Sequence, residues 1–327
     1  MSDTTNSRPI VKRTTSISHR VTSLILPIAI LATLLLFGLV EPRVWSPGNI
    51  QNIIVQASFL AIFAMAQTFV ILTRGFDLSL GFNISLISVV SAMVMVNGGD
   101  GSSVLLGMGA ALLIGAAIGL TNGVLIAGFQ LNAPVVTLGM ANIIPALAST
   151  VSGGFPITGL PPVFNAVLSQ RKIAWPVRAD LGACTGFIVL GFVLTATKFG
   201  RSLYIIGANP KAARAAGIRG TPAVILAYTI CGLLTAIGAV MLTARTGSGE
   251  PNLGGNLTLE SIAAAVVGGV RLTGGEGGVT AALIGALFIT VLSNGMNLIQ
   301  VDGYLQQIFL GLIIIVSPVI VQMQTQR

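Results

Sequence analysis

The sequence predicts an all-α polytopic membrane protein with about ten transmembrane helices, and three observations predict it. Mean hydropathy is +0.92, with 54% hydrophobic residues. Only 8% of residues are charged, against roughly 25% in ordinary soluble domains. Apolar runs of about 20 residues recur along nearly the whole chain, each long enough to cross a hydrocarbon core of about 30 Å as a helix. Residues 1–20 read as a basic cytoplasmic tail and 21–327 as a single transmembrane domain, with no room for a separate soluble one.

Cutting at charges and Gly/Pro clusters places spans at about 21–40, 50–73, 79–96, 103–127, 133–151, 181–197, 222–244, 259–270, 279–297 and 304–321. The first run ends in Val40-Glu41-Pro42 without a small-residue cleavage site, which predicts a retained helix and not a signal peptide. The span at 259–270 is too short to cross alone as a straight helix, so it is either broken or extended by its glycine-rich flanks.

With the N-terminus inside, twelve Lys and Arg fall in inner segments, among them Arg74, Lys198, Arg201, Lys211, Arg214, Arg219 and Arg271. Five fall in outer ones: Arg43, Arg171, Lys172, Arg178 and Arg245. That asymmetry follows the positive-inside rule and predicts both termini cytoplasmic. The net charge of +8 is spread between spans, which excludes the continuous basic face of a nucleic-acid binder. Cys184 and Cys231 lie in apolar runs and imply no disulfide.

Shifting the second to fifth spans by about 172 residues lays them on the seventh to tenth. Leu80-Gly81-Phe82-Asn83-Ile84-Ser85-Leu86 then aligns with Leu253-Gly254-Gly255-Asn256-Leu257-Thr258-Leu259, and Ile114-Gly115-Ala116 with Ile284-Gly285-Ala286. An odd number of spans separates the copies, so the repeat is inverted, and its two Gly-rich breaks are expected to frame one pathway.

No residue set supports catalysis: none of the four lysines follows a glycine in a phosphate-binding loop, and no His, Cys or carboxylate cluster has metal spacing. No cofactor is expected. The carboxylates stand at or near span ends, so the sequence does not show the intramembrane titratable group of a proton- or sodium-driven carrier, which argues for energy from a partner chain. The longest inner segment, about 198–220, is the candidate docking element. Asn209 is a good N-cap, Pro210 suits the first helical position and Gly217 suits the stop, so a short capped helix is expected, with Arg201, Gly207, Asn209, Ala213, Arg214 and Gly217 as coupling residues. The Pro- and Gly-rich outer loop at 152–180, with Trp175, is a candidate platform for an external partner.

Neutral polar residues suit a polyol, because each hydroxyl stripped of water needs a replacement partner. Asn83, Asn256, Thr137, Asn142, Gln306 and Gln307 are the pathway candidates, with Asp77 as a gate or as the partner of Arg74 in a local ion pair.

Several motifs, kept in order from about residue 45 to the C-terminus, resemble the permeases of ribose-type carbohydrate ABC importers. They are Thr73-Arg74-Gly75-Phe76-Asp77-Leu78-Ser79-Leu80-Gly81, Asn132-Ala133-Pro134-Val135-Val136-Thr137-Leu138-Gly139, Phe199-Gly200-Arg201 with Gly207-Ala208-Asn209, and Glu260-Ser261-Ile262-Ala263-Ala264 with Gly268-Gly269. Arg74 stands where the family usually has a glycine, and Asn142-Ile143-Ile144 where an arginine is often found. The resemblance implies a non-catalytic type II importer permease in the bacterial inner membrane that translocates a monosaccharide or related polyol. It also implies a second permease subunit, two cytoplasmic ATPase subunits and a periplasmic sugar-binding protein as partners, with 198–218 seated on the ATPase. A permease for branched-chain amino acids, nucleosides or a signalling furanose, and an ion-coupled carrier acting alone, are the alternatives.

Overall fold

The computed structural model describes residues 16–99, 101–164 and 177–325. Asp100, most of the N-terminal tail, and the stretch of the outer loop that carries Arg171, Lys172 and Trp175 lie outside them.

Among the described residues twelve α-helices follow one another: α1 Ser16–Val40, α2 Pro47–Leu72, α3 Leu80–Gly98, α4 Gly101–Gly123, α5 Ala133–Ser152, α6 Val177–Ala196, α7 Lys198–Ala208, α8 Pro210–Ala215, α9 Gly220–Thr246, α10 Leu257–Gly268, α11 Val279–Leu298 and α12 Gly303–Thr325. Among the described residues six helices are long and apolar enough to cross a membrane, seven if α6 and α7 are one span bent by 68°. The described apolar parts of α1, α10 and α12 are shorter.

Helix limits follow local chemistry. Ser46 caps α2 by accepting the Asn49 amide, and Pro47 occupies its first turn, where a missing N–H is harmless. Gly153 and Gly247 end α5 and α9 in the left-handed region that a glycine enters without strain. α10 settles the short span seen in sequence: it is a twelve-residue helix preceded by an irregular segment that returns into the bundle.

α2 is the axis of the bundle, and every residue from Ala57 to Leu72 is buried, which is why it is apolar all round. Packing repeats in two sets. α4 lies on α9 as α11 lies on α2, and α3 packs on α4, α9 and α5 as α10 packs on α11, α2 and α12. α5 and α12 are the peripheral members, with Val135, Leu138, Ile308 and Phe309 exposed.

Candidate functional site

α2 begins beside the end of α9, where Arg245 donates to Asn52 at 3.2 Å, so the two helices end at opposite faces of the bundle. After each end the chain turns back inward, through 73–79 and through 247–256. The returning segments meet at Gly81 and Gly254. A Cβ on Gly81 would strike the Gly254 carbonyl oxygen, and one on Gly254 would strike the Gly81 carbonyl oxygen. The Gly81 amide donates to Thr258 Oγ1 at 2.8 Å, and the Gly254 amide donates to Ser85 Oγ at 3.2 Å.

Just ahead of this crossing Asp77 is fully buried. Its Oδ1 accepts from the Ser79 amide at 2.9 Å and from Ser79 Oγ at 2.5 Å. Ser79 Oγ accepts in turn from Asn122 Nδ2 at 3.1 Å and Asn83 Nδ2 at 3.4 Å. Gln67 Nε2 donates to the Asp77 carbonyl at 2.6 Å, and Gln67 precedes the end of α2 by five residues, a depth of about 7.5 Å. Asp77, close to a span end along the sequence, therefore sits inside the bundle because the chain turns back after Leu72.

The expected Arg74–Asp77 ion pair does not form: the salt bridges among the described residues are Arg43–Glu41 and Arg271–Glu276. Arg74, at φ +68°, turns the other way. Its Nε donates to the Gly207 carbonyl at 2.5 Å and its Nη2 to the Ala208 carbonyl at 2.8 Å, two acceptors left open at the C-terminal end of α7. Gly275 donates its amide to Leu72 O at 3.0 Å, and Tyr204 donates its hydroxyl to Gly277 O at 2.9 Å. Gly207 lies so close to Leu72 O and the Gly275 amide that no side chain fits there. The end of α2, the α7–α8 corner and the 271–277 loop thus form one joint.

The expected short helix is α8. Asn209 Oδ1 accepts the Lys211 and Ala212 amides at 3.0 and 3.1 Å. Gly217, at φ +75°, donates to Arg214 O, and Ile218 to Ala213 O, both at 3.0 Å, which is the Schellman pattern. Arg201, Asn209, Arg214 and Gly217 are exposed. Ala213 is not part of the exposed face: it is 2% exposed and packs with Leu203, Ile206 and Ala223 of the same chain. Lys198–Ala208, read from sequence as loop, is helical because Thr197 caps it by accepting the Gly200 amide at 3.0 Å.

A half-open cavity of about 120 Å³ lies between α2, α9, α10 and α11. Gln56, Phe59, Arg245, Glu260, Thr290 and Ser293 are among its lining. Arg245 stands over the Phe59 ring, 5.6 Å from its centroid. In sequence Arg245 and Glu260 stand on either side of the returning segment 247–256, which is the signal that points to them.

Of the pathway candidates, Asp77 and Asn83 come together. Thr137 is buried and bonds Ala133 O within its own helix, Asn142 is exposed and bonds Leu138 O, and Asn256 is exposed at the start of α10. Gln306 donates to Asn297 Oδ1 at 2.9 Å, and Gln307 is exposed. These five stand apart from Asp77, on peripheral helices or at the crossing's rim. Among the described residues no group of three or more His, Cys, Asp and Glu is placed to hold a metal ion.

Residues 49–318 match a family model described as the branched-chain amino acid transport system / permease component. The chain is 34% identical to the ribose import permease protein RbsC of Escherichia coli (strain K12) over 302 residues, 90% of this chain and 91% of that one. It is 31% identical to the D-allose transport system permease protein AlsC of Escherichia coli (strain K12) over 283 residues, 86% of each. It is also 31% identical to the L-arabinose ABC transporter permease protein AraH of Azospirillum brasilense, over 86% of this chain and 81% of that one. No solved structure matches.

Proposed function

The chain belongs to the permease-component family of branched-chain amino acid-type transport systems, and from that premise we propose that it is the membrane subunit of a bacterial ABC importer for a monosaccharide. It is a permease component, the non-catalytic subunit of such a transporter. In this reading ATP binding and hydrolysis on two cytoplasmic partner subunits drive alternating access, a periplasmic binding protein delivers the sugar, and a second permease subunit completes the channel.

The observation that carries the sugar assignment is the likeness to three sugar permeases over more than four-fifths of every chain compared. Branched-chain amino acids, named in the family description, are the second reading.

The finer architecture proposed is ten spans with α2–α5 and α9–α12 as inverted repeats, of the type II importer kind. The doubled packing and the reciprocal contact of Gly81 with Gly254 support it. Both termini are proposed to be cytoplasmic, which is supported by Arg74, the α7–α8 corner and Arg271 sharing one face, rich in positive charge. On that face the exposed side of α8 docks on the ATPase.

Reconstitution tests the reading. Proteoliposomes holding the permease with its ATPase and binding protein should accumulate a monosaccharide only with ATP. Transport by this chain alone, without an ATPase, would overturn it and leave an ion-coupled carrier. A cysteine at Asn209 that an impermeant external reagent labels in intact cells would overturn the orientation.

A further inference from the structure

The cavity beside Arg245 has a composition that its size makes informative. Its volume of about 120 Å³ is on the scale of the roughly 150 Å³ cavity that admits a benzene ring. Being half open, it seats a single sugar ring with part of that ring outside, and has no room for a second.

Its walls carry one positive and one negative side chain, Arg245 and Glu260, and neither is in a salt bridge among the described residues. Ionisable groups within a membrane domain are expensive and are kept where they serve a solute or a wet path. Opposite signs cancel, so the site discriminates against a net-charged solute. Gln56, Thr290 and Ser293 add neutral donors and acceptors, and Phe59 carries the Arg245 guanidinium over its ring.

Position supports the same use. Arg245 is one residue from the end of α9, Gln56 is in the first half of α2, and Glu260 is in the first turn of α10, immediately after the returning segment that meets Gly81. The cavity therefore lies between the face opposite the α7–α8 corner and the crossing.

We propose that this cavity, built on Gln56, Phe59, Arg245 and Glu260, is a receiving subsite that holds one neutral monosaccharide ring between release from the binding protein and passage through the crossing. The inference rests on the monosaccharide reading above. Glu260 accepts from ring hydroxyls, Arg245 and Gln56 donate to them, and Phe59 holds the Arg245 guanidinium in place.

The test uses the complete importer in proteoliposomes, with ribose, allose, arabinose, galactose and leucine as probes. Glu260→Gln should assemble with its partners and lower uptake of the sugar that wild type carries at least tenfold. Unchanged uptake by assembled Glu260→Gln would overturn the subsite while leaving the importer reading intact. Uptake of leucine and of none of the sugars by wild type would overturn both.

Ser293→Cys gives an independent reading that does not need Glu260 to be replaceable. A small thiol reagent added from the binding-protein side should label it, and the transported sugar should slow labelling several-fold at saturation. A cysteine that reacts equally with and without that sugar would overturn the subsite.

Discussion

Gly81 and Gly254 exclude each other's side chains: a Cβ on either one would run into the other's carbonyl oxygen. The hydrogen bonds around them are reciprocal as well, Gly81 to Thr258 and Gly254 to Ser85. Each glycine bonds the hydroxyl four residues beyond its counterpart, the arrangement a local two-fold axis between two copies of one motif would produce.

Alanine at either glycine should therefore be equally harmful. Overpacking of this kind costs about 1–3 kcal/mol, so Gly81→Ala and Gly254→Ala should lower thermal stability of the purified permease by similar amounts. Because both relieve the same contact by forcing the same segments apart, the double variant should lose less than the sum of the two. Additive losses, or a normal melting temperature for one of the singles, would count against a shared crossing.

The network at Asp77 makes a different expectation. With Arg74 turned away, the carboxylate works through hydrogen bonds to Ser79, and Asn at this position keeps the acceptor oxygen that Ser79 needs. Asp77→Asn should assemble normally. Ser79→Ala should not, because it strips the shared hydroxyl from Asp77, Asn83 and Asn122 together, and each buried polar group left unpaired costs about 1–3 kcal/mol. Thermal unfolding of the two variants checks this; equal damage from both would refute the central place of Ser79.

The short helix was legible in its sequence because capping is local chemistry: Asn209, Pro210 and Gly217 announce α8 with no knowledge of tertiary structure. The motif Leu-Gly-x-Asn-x-Ser/Thr likewise pointed to the pair Gly81 and Gly254. Contacts across the fold were not legible. Arg74 and Asp77 are three residues apart and of opposite charge, yet the left-handed turn at Arg74 sends the guanidinium toward Gly207, more than 130 positions away in sequence. Only the folded chain brings those acceptors within reach. Thr137 and Asn142 show the same limit from the other side, since polarity inside a span does not say whether a residue bonds its own helix or faces a path.

Ala213, buried, and Arg214, exposed, let the folding of α8 and its proposed docking be tested apart. An aspartate at Ala213 would put an unpaired carboxylate among Leu203, Ile206 and Ala223, a loss on the order of 3 kcal/mol. Ala213→Asp should lower the yield of folded permease before any effect on coupling can be read. Arg214 is exposed, with no such burden, and Arg214→Glu should fold normally while reducing ATPase subunits retained on copurification. Normal retention with Arg214→Glu would remove this face of α8 from the docking surface.

Arg74 offers the sharpest division between a structural and a transmitting role. Its φ of +68° is a conformation that costs a non-glycine residue about 1–3 kcal/mol. Arg74→Gly relieves that strain while giving up two hydrogen bonds to Gly207 O and Ala208 O, each worth about 1.5–3 kcal/mol at most for a charged donor and less where exposed. The two effects oppose, so stability should change little or rise. If the joint transmits motion as proposed, the loss has no such compensation, because the side chain is one of the links from the α2 end to the α7–α8 corner. Arg74→Gly should therefore hydrolyse more ATP per sugar imported, and Arg74→Lys, which can still reach one carbonyl, should recover part of the loss. A stable Arg74→Gly permease with an unchanged ratio of ATP hydrolysed to sugar imported would show that the joint carries motion through Leu72, Gly207 and Gly275 alone.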